Sequence, residues 1–165
     1  MADNSKVPAV QNGQNVVSLG ALDQYVSITI GNQLFGIKVL LVHDVLGPQR
    51  ITRIPLSPKE VAGSLNLRGR IVTAIDLRSR LNMPPRPKGE EGMSVVVEQS
   101  GELYSLMVDA VGEVLSLDDT NFESHPPTMA QTIREVSSGI YRLDDTLLVV
   151  LDCDSLLNFG RQDAA

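Results

Sequence analysis

The sequence predicts an all-β chain built from two copies of one unit, each closing as a small barrel or roll. Three observations carry that prediction. First, 42% of the 165 residues are hydrophobic but only 4% aromatic, with no Trp. The core must therefore come from Val, Leu and Ile, a bias that favours strands. Second, no stretch keeps a helical apolar period long enough to cover a sheet. Third, the chain repeats itself.

The repeat is read from two offsets. With Tyr25 set against Ser94, a shift of 69, Val26, Ile28, Leu34, Phe35, Ile37, Val39 and Val42 fall on Val95, Val97, Leu103, Tyr104, Leu106, Val108 and Val111. Asp44 falls on Glu113, and Val45-Leu46 on Val114-Leu115. With Asp76 set against Asp152, a shift of 76, Gly63, Leu67, Ile71 and Ile75 fall on Gly139, Leu143, Leu147 and Leu151. The extra 7 residues sit in the middle loop, Asp118 to Thr132, which holds Pro126-Pro127. Because no helix is long enough to cover a sheet, the two units are expected to cover each other. A core between them then adds to one inside each. Closed or rolled sheets also remove exposed edges.

Taken in order, 1–23 is rich in Asn, Gln, Ser and Gly without a period and reads as a mobile tail. Gln24–Ile30 alternates as a strand, Gly31-Asn32-Gln33 turns it, and Leu34–Val39 returns. Leu40–Leu46 reads equally as strand or short helical turn, stopped by Gly47-Pro48. Ile51–Ile54 is a short extended piece. Ser57-Pro58-Lys59-Glu60 carries a helix-start pattern for a brief helix ending by Gly63. Gly63–Leu81 is the most informative stretch: a hairpin with Arg68-Gly69-Arg70 at its turn and a nearly continuous apolar return strand. Residues 84–92, with Pro84, Pro85, Pro87 and two glycines nearby, read as an extended linker between a first repeat (about 24–83) and a second (about 93–159). The last residues, 160–165, read as a second tail.

Several function classes are excluded or weakened by residues alone. Net charge is −6, so a phosphate backbone is repelled and nucleic acid is not an expected partner. One cysteine, Cys153, rules out an internal disulfide and fits a reducing compartment. No apolar run approaches the ~20 residues that span a bilayer, and no signal-peptide pattern opens the chain, so a cytoplasmic protein is expected. His43, His125 and Cys153 do not cluster at metal-ligand spacing, and no phosphate loop or nucleophile motif occurs. Asp76 and Asp152 occupy equivalent places, which raises an acid-protease-like dyad. Their neighbours, Ile75-Leu77 and Leu151-Cys153, lack the small hydroxyl and glycine of such sites. Each reads better as a cap on the turn that follows its strand, and Cys153 as a small buried apolar residue. Arg68 and Arg70 are replaced by Asp144 and Thr146 in the second copy, so the turn itself does not demand them. Arginine is a preferred anchor at protein interfaces.

The block Asn66–Arg78 (NLRGRIVTAIDLR), with Phe35–Val45 upstream and Val108–Leu115 downstream, resembles the CheW family of chemotaxis coupling proteins. The resemblance runs from about Gln24 to Asn158. It implies two pseudo-symmetric five-stranded barrels of SH3/OB-like type with a few short helices. It implies a non-enzymatic adaptor without cofactor or metal, joining the regulatory domain of the CheA histidine kinase to the cytoplasmic tip of methyl-accepting chemotaxis receptors. Such an adaptor meets the membrane only through those receptors. Carried over residue by residue, it places Val42, Asp44 and Thr52 on the kinase-facing surface. It places Asn66, Arg68, Ser105, Val111 and Val114 on the receptor-facing one. Two other readings stay open at this point: a scaffold of the same fold in a non-motility pathway, and a small hydrolase using Cys153 or the Asp76/Asp152 pair.

Overall fold

The computed structural model describes residues 22–159. The two expected tails lie outside this range, except that Leu22 and Asp23 belong to the first strand, where they pair with Asp118 and Leu117. Eleven strands follow in order among the described residues. They are β1 (Leu22–Ile30), β2 (Gln33–Lys38), β3 (Val42–Leu46), β4 (Val61–Leu67), β5 (Arg70–Asp76), β6 (Met93–Gln99), β7 (Glu102–Val108), β8 (Ala110–Asp118), β9 (Phe122–Glu123), β10 (Ser137–Arg142) and β11 (Leu147–Leu151). Helices are single turns: Leu77–Arg80, Gln131–Arg134 and Cys153–Leu156. None is long and apolar enough to cross a membrane.

The strands form two sheets, ordered β8-β1-β2-β11-β10-β9 and β3-β6-β7-β5-β4. The all-β, two-unit, pseudo-symmetric organisation is as the repeat predicts, but the units exchange strands. Each sheet takes the opening hairpin of one copy (β1-β2 or β6-β7) and the later strands of the other. Two of the joins between copies are parallel, β2 with β11 through Phe35–Val149 and β5 with β7 through Ile75–Leu106, and two are antiparallel, β1 with β8 and β3 with β6. The exchange begins at a three-residue 3₁₀ turn, Val39–Leu41, after which β3 crosses to pair with β6. Leu40–Leu46 is thus turn and strand in succession. Neither ladder closes into a ring of backbone pairs. In the second sheet, Thr52 forms a two-way bridge to Ser64 on β4, with both N···O distances 2.8 Å. Its counterpart in the other sheet is β9, which pairs with β10 at Ile140, the residue aligned with Ser64. The extra 7 residues therefore fall on either side of this short edge strand, which has its equivalent in the first copy.

Burial follows the alternation of each strand. One face of both sheets builds a single shared core, including Ile28, Phe35, Ile37, Ile75, Val95, Leu106, Ile140 and Val149, all fully buried. The other face of each sheet packs a smaller cluster. Leu65, Val72, Ala74, Val96 and Leu103 form one, and Tyr25, Tyr141, Leu148 and Val150 the other. One core lies between the two sheets, as expected between units, but each smaller cluster draws on both copies instead of lying inside one, because the strands are exchanged. The shared core is the largest, and at about 25 cal/mol per Å² of apolar area removed from water it dominates the stabilisation.

Two local expectations change. No helix forms at Ser57–Gly63. The Ser57 hydroxyl donates backwards to the Ile54 carbonyl (2.8 Å) rather than capping, and Val61 N closes a turn on Pro58 O (3.0 Å) before joining β4. Strand pairing of Val61 with Ile75 wins over the local helix signal. The proline-rich linker is also not free along its length. Arg86 donates to Val108 O (3.0 Å), and Pro84 O accepts from Arg78 (2.8 Å). Exposure without a break is confined to 87–91.

Candidate functional site

The turn between β4 and β5 organises the surface. Arg68 and Gly69 both have positive φ, +52° and +87°. That is the pattern of a two-residue hairpin turn whose twist matches the flanking strands. Asn66 Oδ1 accepts from Gly69 N (3.0 Å) and locks the turn. An arginine in the left-handed region is uncommon and unfavourable relative to Gly or Asn. Its presence there agrees with a role outside the fold.

Arg68 reaches across the open end of the sheet. Its Nη2 lies 2.9 Å from Asp44 Oδ2 on β3, with side-chain exposures of 76% and 24%. β3 and β4 are the two ends of their ladder, so this ion pair and the Thr52–Ser64 bridge draw the ends together where backbone pairing does not. Val42, half-buried, pairs with Val97 on the same strand as Asp44. Val42, Asp44, Thr52, Asn66 and Arg68 therefore belong to one connected part of the molecule. Ile71, which the repeat sets against Leu147 as a strand residue of the barrel, is instead 69% exposed, opposite Asn66 in the ladder and beside the turn.

Val111 and Val114 sit on β8 in the other sheet, paired with Ile28 and Val26. Val111 is half-buried against the shared core, and Val114 is 52% exposed. Ser105 departs from its expected place. It is fully buried on β7 between Val96 and Ala74, so no partner touches it without opening the sheet. Its Oγ has no hydrogen-bond partner. The residue aligned with it in the first copy is Gly36, also buried, where an added Cβ would lie 3.0 Å from Leu148. Both positions select for small size inside a barrel, not for a surface contact.

The enzymatic alternative loses its geometry. Asp76 Oδ1 accepts from Arg78 N and Ser79 N (3.1 and 3.4 Å), and Asp152 Oδ1 from Asp154 N (3.2 Å). They cap separate one-turn helices at the ends of strands in different sheets. Cys153 is buried, and burial pushes its thiol up to about 11, which removes the thiolate a nucleophile needs. His125 and His43 are engaged elsewhere, with Ser137 (2.7 Å) and Glu98 (2.7 Å).

A charged hub escaped the sequence reading. Asp109, between β7 and β8, accepts from Arg78 Nε (3.0 Å) and Nη2 (2.6 Å), from Arg86 Nε (3.3 Å) and from Gly31 N (2.7 Å). The Arg78 hydrogen bonds are the main cause that holds its carboxyl at about 2, below the ordinary 3.8. Burial opposes them, and Gly31, the Arg78 charge and Arg86 add to the lowering. The hub ties the β1–β2 turn, the end of β5, the linker and the β7–β8 junction together. The available signal was a failure of the repeat: Asp109 aligns with Leu40, and Arg78 with Asp154.

Comparison with known proteins adds family to geometry. Residues 24–160 match the model of the CheW-like domain. The chain is 30% identical over 135 residues to the chemotaxis protein CheW of Klebsiella aerogenes, covering 82% of this chain and 81% of that one. It is 27% identical to the probable chemotaxis protein CheW of Rhizobium etli, covering 86% and 92%. Among solved structures it resembles the scaffolding protein TtCheW of Thermoanaerobacter tengcongensis, with a TM-score of 0.71, 32% identity, and coverage of 79% of this chain and 88% of that one.

Proposed function

The chain belongs to the CheW-like domain family of chemotaxis proteins, and from that membership we propose that it is a non-enzymatic adaptor between methyl-accepting receptors and a CheA-type histidine kinase. Val42, Asp44 and Thr52 face the regulatory domain of the kinase. Asn66, Arg68, Val111 and Val114 face the cytoplasmic tip of the receptor, which brings the protein to the membrane arrays. Ser105 is left out because it is buried.

The observation that carries the proposal is the Arg68–Asp44 ion pair. It joins a residue of the receptor surface to one of the kinase surface. An exposed pair of this kind contributes only about 0.2–1 kcal/mol, so a partner that recruits either side chain can exchange it at small cost. Receptor occupancy is thereby felt at Asp44 without a large rearrangement. The receptor tip, a helical hairpin, suits the apolar edge of β8 where Val114 is exposed and Val111 half-buried. Individual contacts can stay modest where an array supplies avidity.

Arg68→His tests the proposal. Receptor-dependent kinase activation and co-sedimentation with receptor fragments should fall while the far-UV circular dichroism spectrum is retained. A melted spectrum makes the arginine structural instead. A folded wild-type protein that forms no assembly with receptor tips and kinase ends the adaptor reading.

A further inference from the structure

The loop between β3 and β4 holds a feature the fold does not need. Ile54, Pro55, Leu56 and Ser57 form a β-turn, closed by Ser57 N to Ile54 O (3.4 Å) and by the Ser57 hydroxyl to the same oxygen (2.8 Å). Pro55 sits at the second position, as such turns favour. Leu56 occupies the third with φ of +63°, where Gly or Asn normally stands. A leucine there is both strained and fully exposed, at 104% of its reference area, and Ile54 beside it is 40% exposed. Two independent penalties meet on one side chain, and neither is offset by a contact inside the chain. Beside the knob lies a cleft of about 440 Å³, lined among others by Arg53, Lys59, Val61 and Asp76.

We propose that this turn presents Leu56 as a rigid docking knob for the regulatory domain of the kinase, entering an apolar pocket rimmed by carboxylates. Naming that partner rests on the adaptor reading. Three considerations select it. Around the knob, Arg50, Arg53, Lys59 and Arg70 outnumber Glu60 and Asp76, with Arg68 paired to Asp44, in a chain whose net charge is −6. This cationic surface repels a second copy of itself and suits an acidic rim. The knob leaves the sheet four residues after Thr52, which the bridge to Ser64 fixes beside the turn of Arg68. A protruding leucine also needs a concave partner, whereas a receptor helical hairpin is convex.

The test compares wild type with Leu56→Asn, Leu56→Gly and Arg53→Glu/Lys59→Glu by calorimetric titration with the purified kinase regulatory domain. Asn and Gly relax the left-handed position, so their thermal midpoints should equal or exceed the wild-type value. Their affinity should fall roughly tenfold or more, as expected for removing a buried leucine anchor. The charge-reversed variant should bind less tightly and lose most of its salt dependence between about 0.05 and 0.5 M. Wild-type binding that Leu56→Asn leaves unchanged overturns the knob but keeps the adaptor. No wild-type binding overturns both. Leu56-dependent sedimentation with phosphatidylserine vesicles, or a Leu56-dependent dimer, with kinase affinity unaltered, assigns the knob elsewhere and also overturns the proposal.

Discussion

Replacing Asp109 by Asn isolates a place where charge contributes heavily to this fold. The carboxylate titrates at about 2 in the folded protein against an ordinary 3.8. At about 1.4 kcal/mol per pKa unit, that difference is worth up to about 2.5 kcal/mol at neutral pH. Asp109 is 21% exposed and Arg78 13%, so solvent screening trims the figure modestly, to about 2 kcal/mol. The sign follows from the lowered folded value. The contribution is complete above the unfolded pKa and is lost as pH falls through the folded one. The window runs from about pH 4 to about pH 2, and roughly half the contribution remains at about pH 3. Urea unfolding of wild type and Asp109→Asn at neutral pH and at about pH 3 measures this directly. The variant should lose about 2 kcal/mol at neutral pH, and the gap should narrow to roughly 1 kcal/mol in acid. A gap that stays constant across the window would mean the carboxylate charge is not what stabilises the hub, and the reasoning would fail.

Other perturbations read other parts of the structure. Gly63→Ala should cost several kcal/mol in urea unfolding, on the order of 3. At φ of +151° an added Cβ would collide with Thr52 O, the acceptor in the bridge to Ser64. Ser105→Ala should be neutral or stabilising by up to about 1 kcal/mol, since it removes a buried hydroxyl without a partner, and it should leave kinase and receptor binding unchanged. A binding defect in that variant would return Ser105 to the partner surface. Cys153 should resist a thiol reagent in the native protein and react fully in denaturant, because it is 3% exposed; rapid native labelling would contradict its burial.

The strands and cores were legible because periodicity is local and the repeat doubles every signal. Leu65, Val72 and Ile75 alternate against their aligned partners whichever sheet they join. For the same reason the strand exchange was not legible. β2 pairs in parallel with β11 across more than a hundred residues, and nothing in Leu34–Val39 distinguishes that neighbour from β5. The helix expected at Ser57 failed in the opposite way, a correct local pattern overridden by long-range pairing of Val61 with Ile75. Within the candidate site, Arg68 was visible as a residue the turn does not require. Its partner Asp44 was visible only through the family resemblance, since 24 residues and two ladder ends separate them in sequence. Ser105 was set on the receptor surface only by the family resemblance, and its burial was not legible because a small polar residue on a strand looks the same from sequence whether it faces solvent or a crowded interior.

The repeat also explains how one duplicated unit can present two different surfaces. Val42 and Val45 on β3 align with Val111 and Val114 on β8, and each pair lies on the third strand of its copy. The exposed apolar residues are kept: Val45 is 38% and Val114 52% exposed. The charges around them are not. Asp44 and Arg68 become Glu113 and Asp144, two acids that cannot pair, so the ion pair that draws one barrel together has no counterpart in the other. Strand exchange and the shared core hold the two surfaces in a fixed relation, since neither sheet can be formed from one copy alone. Specificity then comes from charge laid over a common apolar edge. One barrel offers cations and an exchangeable pair, and the other offers acid, so a single partner surface cannot satisfy both.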